Sequence, residues 1–265
     1  MPPSDPVLTA LGLTVFAGVA TVLGGVLAVM GRAPGPRGLA LGLGLAGGVM
    51  VSVSFMEIIP EATDGLVPDF GTWAGTVMLV GFLAGVGSFL AIDRFLPDRI
   101  DLDEREDGAP VTRRDRRMMR LGLVTAVGIG LHNLPEGFAT FAATLSDPTV
   151  GLALAVAMAI HNVPEGLAVA VPVRQATGSR RKALGWAALT GIAEPVGALV
   201  GYLLLAPILT EALLSMLFAA VAGIMVVISV DKLLPAAREA GGARVALAGM
   251  LIGMVAMMVS LDMLP

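Results

Sequence analysis

Only 14% of the 265 residues are charged, 56% are hydrophobic, and the net charge is −4. A water-soluble domain carries about a quarter charged residues, so this chain cannot cover a polar surface of its own size, and no basic excess points to nucleic acid. Cysteine is absent, which excludes a disulfide framework, a thiolate zinc site and a cysteine nucleophile.

A helix needs about 20 apolar residues to cross a hydrocarbon core of ~30 Å. Eight stretches qualify, at about residues 7–30, 39–60, 72–96, 121–145, 150–173, 182–206, 211–233 and 244–264. The expected fold is an all-α membrane protein, a single transmembrane domain over residues 1–265 with eight transmembrane helices. The leading MPPSDPVLTA has neither a basic region nor a small-residue cleavage site, so the first stretch reads as a retained crossing. The connectors GRAPGPR, DGLVPDFGT, LSDPT and RQATGSRRK carry loop signals. The longest connector, about residues 97–120, contains DRIDLDEREDGAPVTRRDRR and reads as a solvated, mobile segment with no assigned chemistry.

In this arrangement all 17 Lys and Arg fall on one side. Arg32 and Arg37 follow the first stretch, and Arg94 to Arg120 surround the loop after the third. Arg174, Arg180, Arg181 and Lys182 follow the fifth, and Lys232, Arg238 and Arg244 the seventh. The positive-inside rule makes that side cytoplasmic and leaves both termini outside. The other side has no Lys or Arg but carries Asp5, Glu61, Asp64, Asp69, Asp147, Glu211 and Asp262. An acidic face concentrates cations; the plainer reading is that acids are merely tolerated there.

Two segment pairs repeat. GGVMVSVSFMEIIPEA (47–62) matches AGIMVVISVDKLLPAA (222–237), pairing Met50 with Met225, Ser54 with Ser229 and Pro60 with Pro235. HNLPEG (132–137) matches HNVPEG (161–166). Each pair joins stretches expected to run in opposite directions, which gives an inverted repeat of 3+2+3 helices. Such repeats are typical of secondary transporters, with a binding site at the midplane between the halves. Chance similarity of apolar helices accounts for the first match as readily as descent does; it does not account for the second.

Residues i and i+4 share a helix face, so His132 projects with Glu136 and His161 with Glu165. Four side chains from two neighbouring helices can then converge on one point, and imidazole with carboxylate is a donor set that suits zinc and its neighbours. Asn133 and Asn162 lie about 100° around each helix and can border a second position sharing the same glutamates. Pro135 and Pro164 cannot donate to the carbonyls of Leu131 and Ile160, so each motif loosens its helix beside the proposed ligands. Glu194, in GIAEPVGA, adds a third carboxylate near the middle of a crossing. An ionised side chain there costs at least ~2.5 kcal/mol on insertion scales, which is hard to explain as packing. Glu57 and Asp231 lie towards opposite ends of their stretches and can mark the entrance and exit of a pathway, although Asp231 can simply pair with Lys232. Asp93 is expected to pair with Arg94 or to snorkel. Met50 sits near the centre of the second stretch; its thioether is either a weak soft ligand or filler.

At HNLPEG, HNVPEG and GIAEP the chain resembles the ZIP (Zrt-/Irt-like protein) family of divalent-metal transporters, most of all its bacterial branch of broad metal preference. The resemblance covers most of the chain and implies zinc as substrate, with Fe2+, Mn2+, Co2+ and Cd2+ as further candidates. It also implies a homodimer in the bacterial inner (plasma) membrane and transport towards the cytoplasm by an elevator-like or rocking exchange. It implies a binuclear centre in which His132, Glu136, His161 and Glu165 hold the first metal. Asn133, Glu136, Asn162, Glu165 and Glu194 would hold the second, and Met50 matches a position that joins the first site in some relatives. Two departures stand out: the cytoplasmic loop has no histidine, and Asp231–Lys232 stands where many relatives carry paired acids.

Two other functions compete. An intramembrane zinc metalloprotease needs HExxH with a free general base, and here Asn follows each histidine. A carrier of an organic anion needs polar aromatic or basic groups at the midplane, and no Lys, Arg, Trp or Tyr stands at the middle of a crossing.

Overall fold

The structure, a computed structural model, describes residues 5–30, 34–96, 102, 104–205 and 210–263. Arg32, Arg99 and much of the start of the 97–120 connector, all used above for orientation, lie outside the described residues.

Helix α1 (Pro6–Val29) begins on a proline, with the Asp5 carboxylate accepting from the Val7 N–H at 3.0 Å. This is the arrangement expected where the first helical N–H groups lack partners. Helix α2 (Pro36–Val53) runs through a π-helical turn, Ser54–Ile58, into α3 (Ile59–Phe70). Gly71, at φ 52°, stops α3 in a conformation that a side chain would strain. A short 3-10 turn (Gly71–Trp73) then leads into α4 (Ala74–Phe95). The DGLVPDFGT connector is therefore mostly helix. Only Gly71–Trp73 turns the chain, because Pro68 sits where the helix tolerates it and the glycine supplies the break.

Helix α5 (Arg113–Ser146) opens with a capping box between Thr112 and Asp115, and α6 (Pro148–Thr177) opens on an Asp147 cap and closes on Gly178 at φ 67°. Then come α7 (Arg180–Val200), a π turn (Gly201–Leu205), α8 (Glu211–Val227), a third π turn (Ile228–Leu233), α9 (Leu234–Gly241) and α10 (Ala243–Met263). No strand occurs among the described residues. Among the described residues six helical stretches are long and apolar enough to cross a membrane, and one of them, Pro36–Phe95, is 60 residues long. Helix α5 is not among them, since its basic start and the polar HNLPEG lower its hydropathy.

The repeat reappears in the backbone. The carbonyls of Ser54 and Ser229 each accept from a backbone N–H five residues on (Ile59 and Leu234), and each serine hydroxyl donates to the carbonyl four residues back at 2.8 Å (Met50 and Met225). Pro60 and Pro235, which lack an N–H, stand just beyond each wide turn, where they cannot restore the ordinary ladder.

The helices pack in two groups. Helices α1 and α5 lie against both α6 and α7, whereas α2 lies against α10 and α9, and α8 against α3 and α4. Glycine permits the closest crossings in the first group. A Cβ on Gly137 of α5 would strike the backbone of Glu194 in α7, and one on Gly197 would strike the backbone of Leu134. The same relation joins α1 to α6, where Gly24 faces Val163 and Gly166 faces Thr21.

The described part of the long connector, expected to be solvated and mobile, is tied to α5 and α6 through Arg105. Arg105 bridges Asp107 (2.6 Å) and Asp115 (2.7 Å) and donates to the carbonyls of Gln175 and Ala176 at the end of α6. The Arg105 hydrogen bond, helped by the Ala109 N–H, holds the exposed Asp107 carboxyl down at about 2, so this pair persists until pH falls to that range. Hydrogen–deuterium exchange on Arg105→Ala is expected to be faster over residues 104–111, with the helices unaffected, since solvent-screened pairs add little to global stability. Unchanged exchange would mean that the Glu106 N–H bond to the Thr177 carbonyl (2.9 Å) alone holds the segment.

Candidate metal centre

The group of α1, α5, α6 and α7 carries every HNxPEG side chain. His132, Asn133 and Glu136 come from α5, His161, Asn162 and Glu165 from α6, and Glu194 from α7; all seven are at most 1% exposed. Both helices run unbroken through Pro135 and Pro164.

The pairs form across the helices. His132 Nε2 lies 2.9 Å from Glu165 Oε1, and His161 Nε2 lies 3.9 Å from Glu136 Oε1. The expected four-way convergence is therefore resolved into two crossed pairs. Among the described residues no three His, Asp or Glu side chains already stand in metal-holding geometry. Each imidazole lies beside the carboxylate of the opposite helix, at hydrogen-bond distance in the first pair and only at ion-pair distance in the second.

The asparagines anchor to main chain. Asn133 Nδ2 donates to the Thr190 carbonyl at 3.1 Å, and Asn162 Nδ2 donates to the Ala17 carbonyl at 2.9 Å and to Glu194 Oε1. Using both amide nitrogens this way leaves both Oδ1 atoms without partners. Also buried without hydrogen-bond partners are both Glu136 oxygens, Glu165 Oε2, Glu194 Oε2 and both nitrogens of His161. An unsatisfied buried polar group costs ~1–3 kcal/mol, more if charged. A cation drawing on these oxygens and nitrogens would offset much of that cost at once, and the mixed N/O set suits zinc and neighbouring divalent metals.

Glu57, in the first π turn, lines a tight space of about 10 Å3 with Glu61, Glu136, Met158, His161 and Phe218. That is close to the minimum for one water. Glu61 and Phe218 also border a wider cavity of about 590 Å3 with Asp64 and Glu211. A string of carboxylates thus runs from an acidic mouth through Glu61 and Glu57 to Glu136. Sequence reasoning left Glu61 among the outer acids and passed over Met158. Their positions one turn from Glu57 and three residues before His161 were the available signal.

Met50 is fully buried but does not line that space. At the basic end, Asp93 does not pair with Arg94. It meets Arg120 at 2.9 Å and Lys232 at 2.7 Å, side chains that α5 and the third π turn bring to it. Asp231 pairs with Lys232 at 2.8 Å and borders a cavity of about 250 Å3 that also touches Arg117 and Arg120.

A family model described as ZIP zinc transporter matches residues 97–261. The chain belongs to the ZIP family. Relatives of this ZIP chain named zinc transporter ZupT cover nearly all of it. The one from Corynebacterium glutamicum is 52% identical over 258 residues (96% of this chain, 98% of the relative), and that from Chlorobium chlorochromatii is 44% identical over 264 residues (97% and 98%). A third, from Streptococcus mutans, is 42% identical over 262 residues (97% and 98%). ZIP members are transporters, and the metalloenzyme alternative has no support.

Proposed function

We propose that this ZIP chain carries divalent metal, zinc first, through the bacterial inner membrane into the cytoplasm. The two crossed His–Glu pairs, surrounded by buried oxygens and nitrogens without partners, carry this reading. His132, Glu136, His161 and Glu165 form the first metal position; Asn133, Asn162, Glu194 and the two shared glutamates form the second. Met50 is a weaker candidate for the first.

Eight crossings follow if the long Pro36–Phe95 stretch turns back at Gly71 and α5 crosses as well. Both termini then lie outside with the acidic mouth, and the bound arginines and lysines line the cytoplasmic end. All seven ligands ride on one helix group. An elevator-like shift of α1, α5, α6 and α7 against the rest, in a homodimer held by the second group, would move the site without dismantling it. Glu57 and Glu61 collect the ion, and Asp231 marks the exit.

Metal-ligating imidazoles and carboxylates must be deprotonated, so protons compete with metal, and proton antiport is compatible with the site. The mixed donors also admit Fe2+, Mn2+, Co2+ and Cd2+. Anomalous scattering at the zinc edge from soaked crystals tests the reading. Two peaks between α5, α6 and α7 are expected, and peaks only elsewhere would remove the centre. His132→Ala should weaken zinc binding about tenfold more than manganese binding, since manganese prefers oxygen; equal losses for the two ions in competition binding would deny histidine its selecting role.

A further inference from the structure

A third repeated pair lies hidden between α1 and α7, and the contacts around the site align it. Asn133 of α5 donates to Thr190 of α7, and its counterpart Asn162 of α6 donates to Ala17 of α1. Gly137 crosses the backbone of Glu194, and its counterpart Gly166 crosses that of Thr21. Gly197 meets Leu134 as Gly24 meets Val163, and Gly18 and Gly191 abut one another. All these relations equate GVATVLG (18–24) with GIAEPVG (191–197). Within that register the counterpart of Glu194 is Thr21.

Thr21 is fully buried, and its hydroxyl has no hydrogen-bond partner. A helical threonine ordinarily donates to the carbonyl four residues back, as Thr14 does to Ala10 in the same helix at 2.9 Å. The corresponding carbonyl for Thr21, that of Ala17, instead accepts from Asn162, the residue that also holds Glu194. Glu194 accepts from the Nδ2 of its asparagine; the shorter Thr21, on the matching face of α1, accepts no such bond, and its Oγ1 stands unpartnered, as do the Oδ1 atoms of both asparagines.

We infer that Thr21 Oγ1 is a neutral oxygen ligand of the second metal position, standing opposite Glu194. The inference rests on the metal-centre reading above. With it, that position has six oxygen-bearing residues: Thr21, Asn133, Glu136, Asn162, Glu165 and Glu194. All-oxygen sixfold coordination suits hard ions such as Mn2+ better than Zn2+. A hydroxyl in place of a fourth carboxylate also limits the buried negative charge, so the ion is held without being trapped.

Equilibrium binding of Mn2+ and Zn2+ to the purified, detergent-solubilised protein tests this. Thr21→Val, which keeps the shape and removes the hydroxyl, is expected to weaken Mn2+ about tenfold, the effect of losing ~1.4 kcal/mol, while changing Zn2+ less than about twofold. Thr21→Ser is expected to bind as the wild type does. A swap variant, Thr21→Glu with Glu194→Thr, is expected to recover the second equivalent of Mn2+ that Glu194→Thr alone loses. Wild-type Mn2+ affinity in Thr21→Val, equal losses in the Val and Ser variants, or a folded swap no better than Glu194→Thr would each overturn the assignment. Retention of both ions in Glu165→Ala would instead overturn the underlying metal centre, and this inference with it.

Discussion

Glu165→Ala is expected to reduce zinc uptake into proteoliposomes to the level of protein-free vesicles. Glu165 is fully buried, holds His132 at 2.9 Å and is shared by both proposed positions. Its loss leaves the imidazole facing an alanine and strips a bridging carboxylate from two ions together. Loss of a group that merely supports a metal ligand costs about 10–100-fold in affinity, so loss of a bridging carboxylate should weaken binding by about two orders of magnitude or more. The same substitution lowers stability, because His132 loses its buried partner. Radioactive zinc flux and a melting curve on the same preparation separate the two effects: uptake close to that of the wild type would eliminate the centre, however stable the protein proved.

Gly137→Ala should unfold the protein several degrees earlier and also depress uptake. An added Cβ there meets the backbone of Glu194, which has no rotamer with which to move aside. Helices α5 and α7 must separate, at a cost of ~1–3 kcal/mol for overpacking, and the movement draws Glu194 away from Asn162. Gly185→Ala serves as a control. It lies in the same α7 with nothing near its absent Cβ, so alanine should be neutral or stabilise by up to ~1 kcal/mol through helix propensity. Equal melting temperatures for the two variants would show that the close crossing does not matter.

The gathering of the HNxPEG side chains in one place was legible because the motif occurs twice with unchanged polar residues. An i, i+4 rule was enough to put each histidine and glutamate on one face. The crossed pairing of His132 with Glu165 was not legible, since it depends on how α5 and α6 face each other rather than on spacing within either. The α1–α7 repeat escaped notice because its chemically important positions differ, Thr21 against Glu194, and its shared glycines and alanine look like ordinary membrane composition. The 64–72 connector carries loop signals, yet the helix continues through Pro68 to Phe70 and only Gly71 stops it. The pinning of Arg105 depends on carbonyls 70 and 71 residues away in the chain, which no local composition reports.

A wide turn amounts to one surplus residue threaded into an α-helix, and one residue corresponds to about 100° of rotation. Ser54–Ile58 and Ile228–Leu233 each contain such a surplus, so everything beyond Pro60 and beyond Pro235 is rotated relative to what precedes it. That rotation aims Glu61 and Asp64 into the acidic mouth in one copy and sets Ala236 and Glu239 along the basic-end cavity in the other. Excising a single amino acid from either turn would restore a regular spiral and swing the far end of that helix away from its opening.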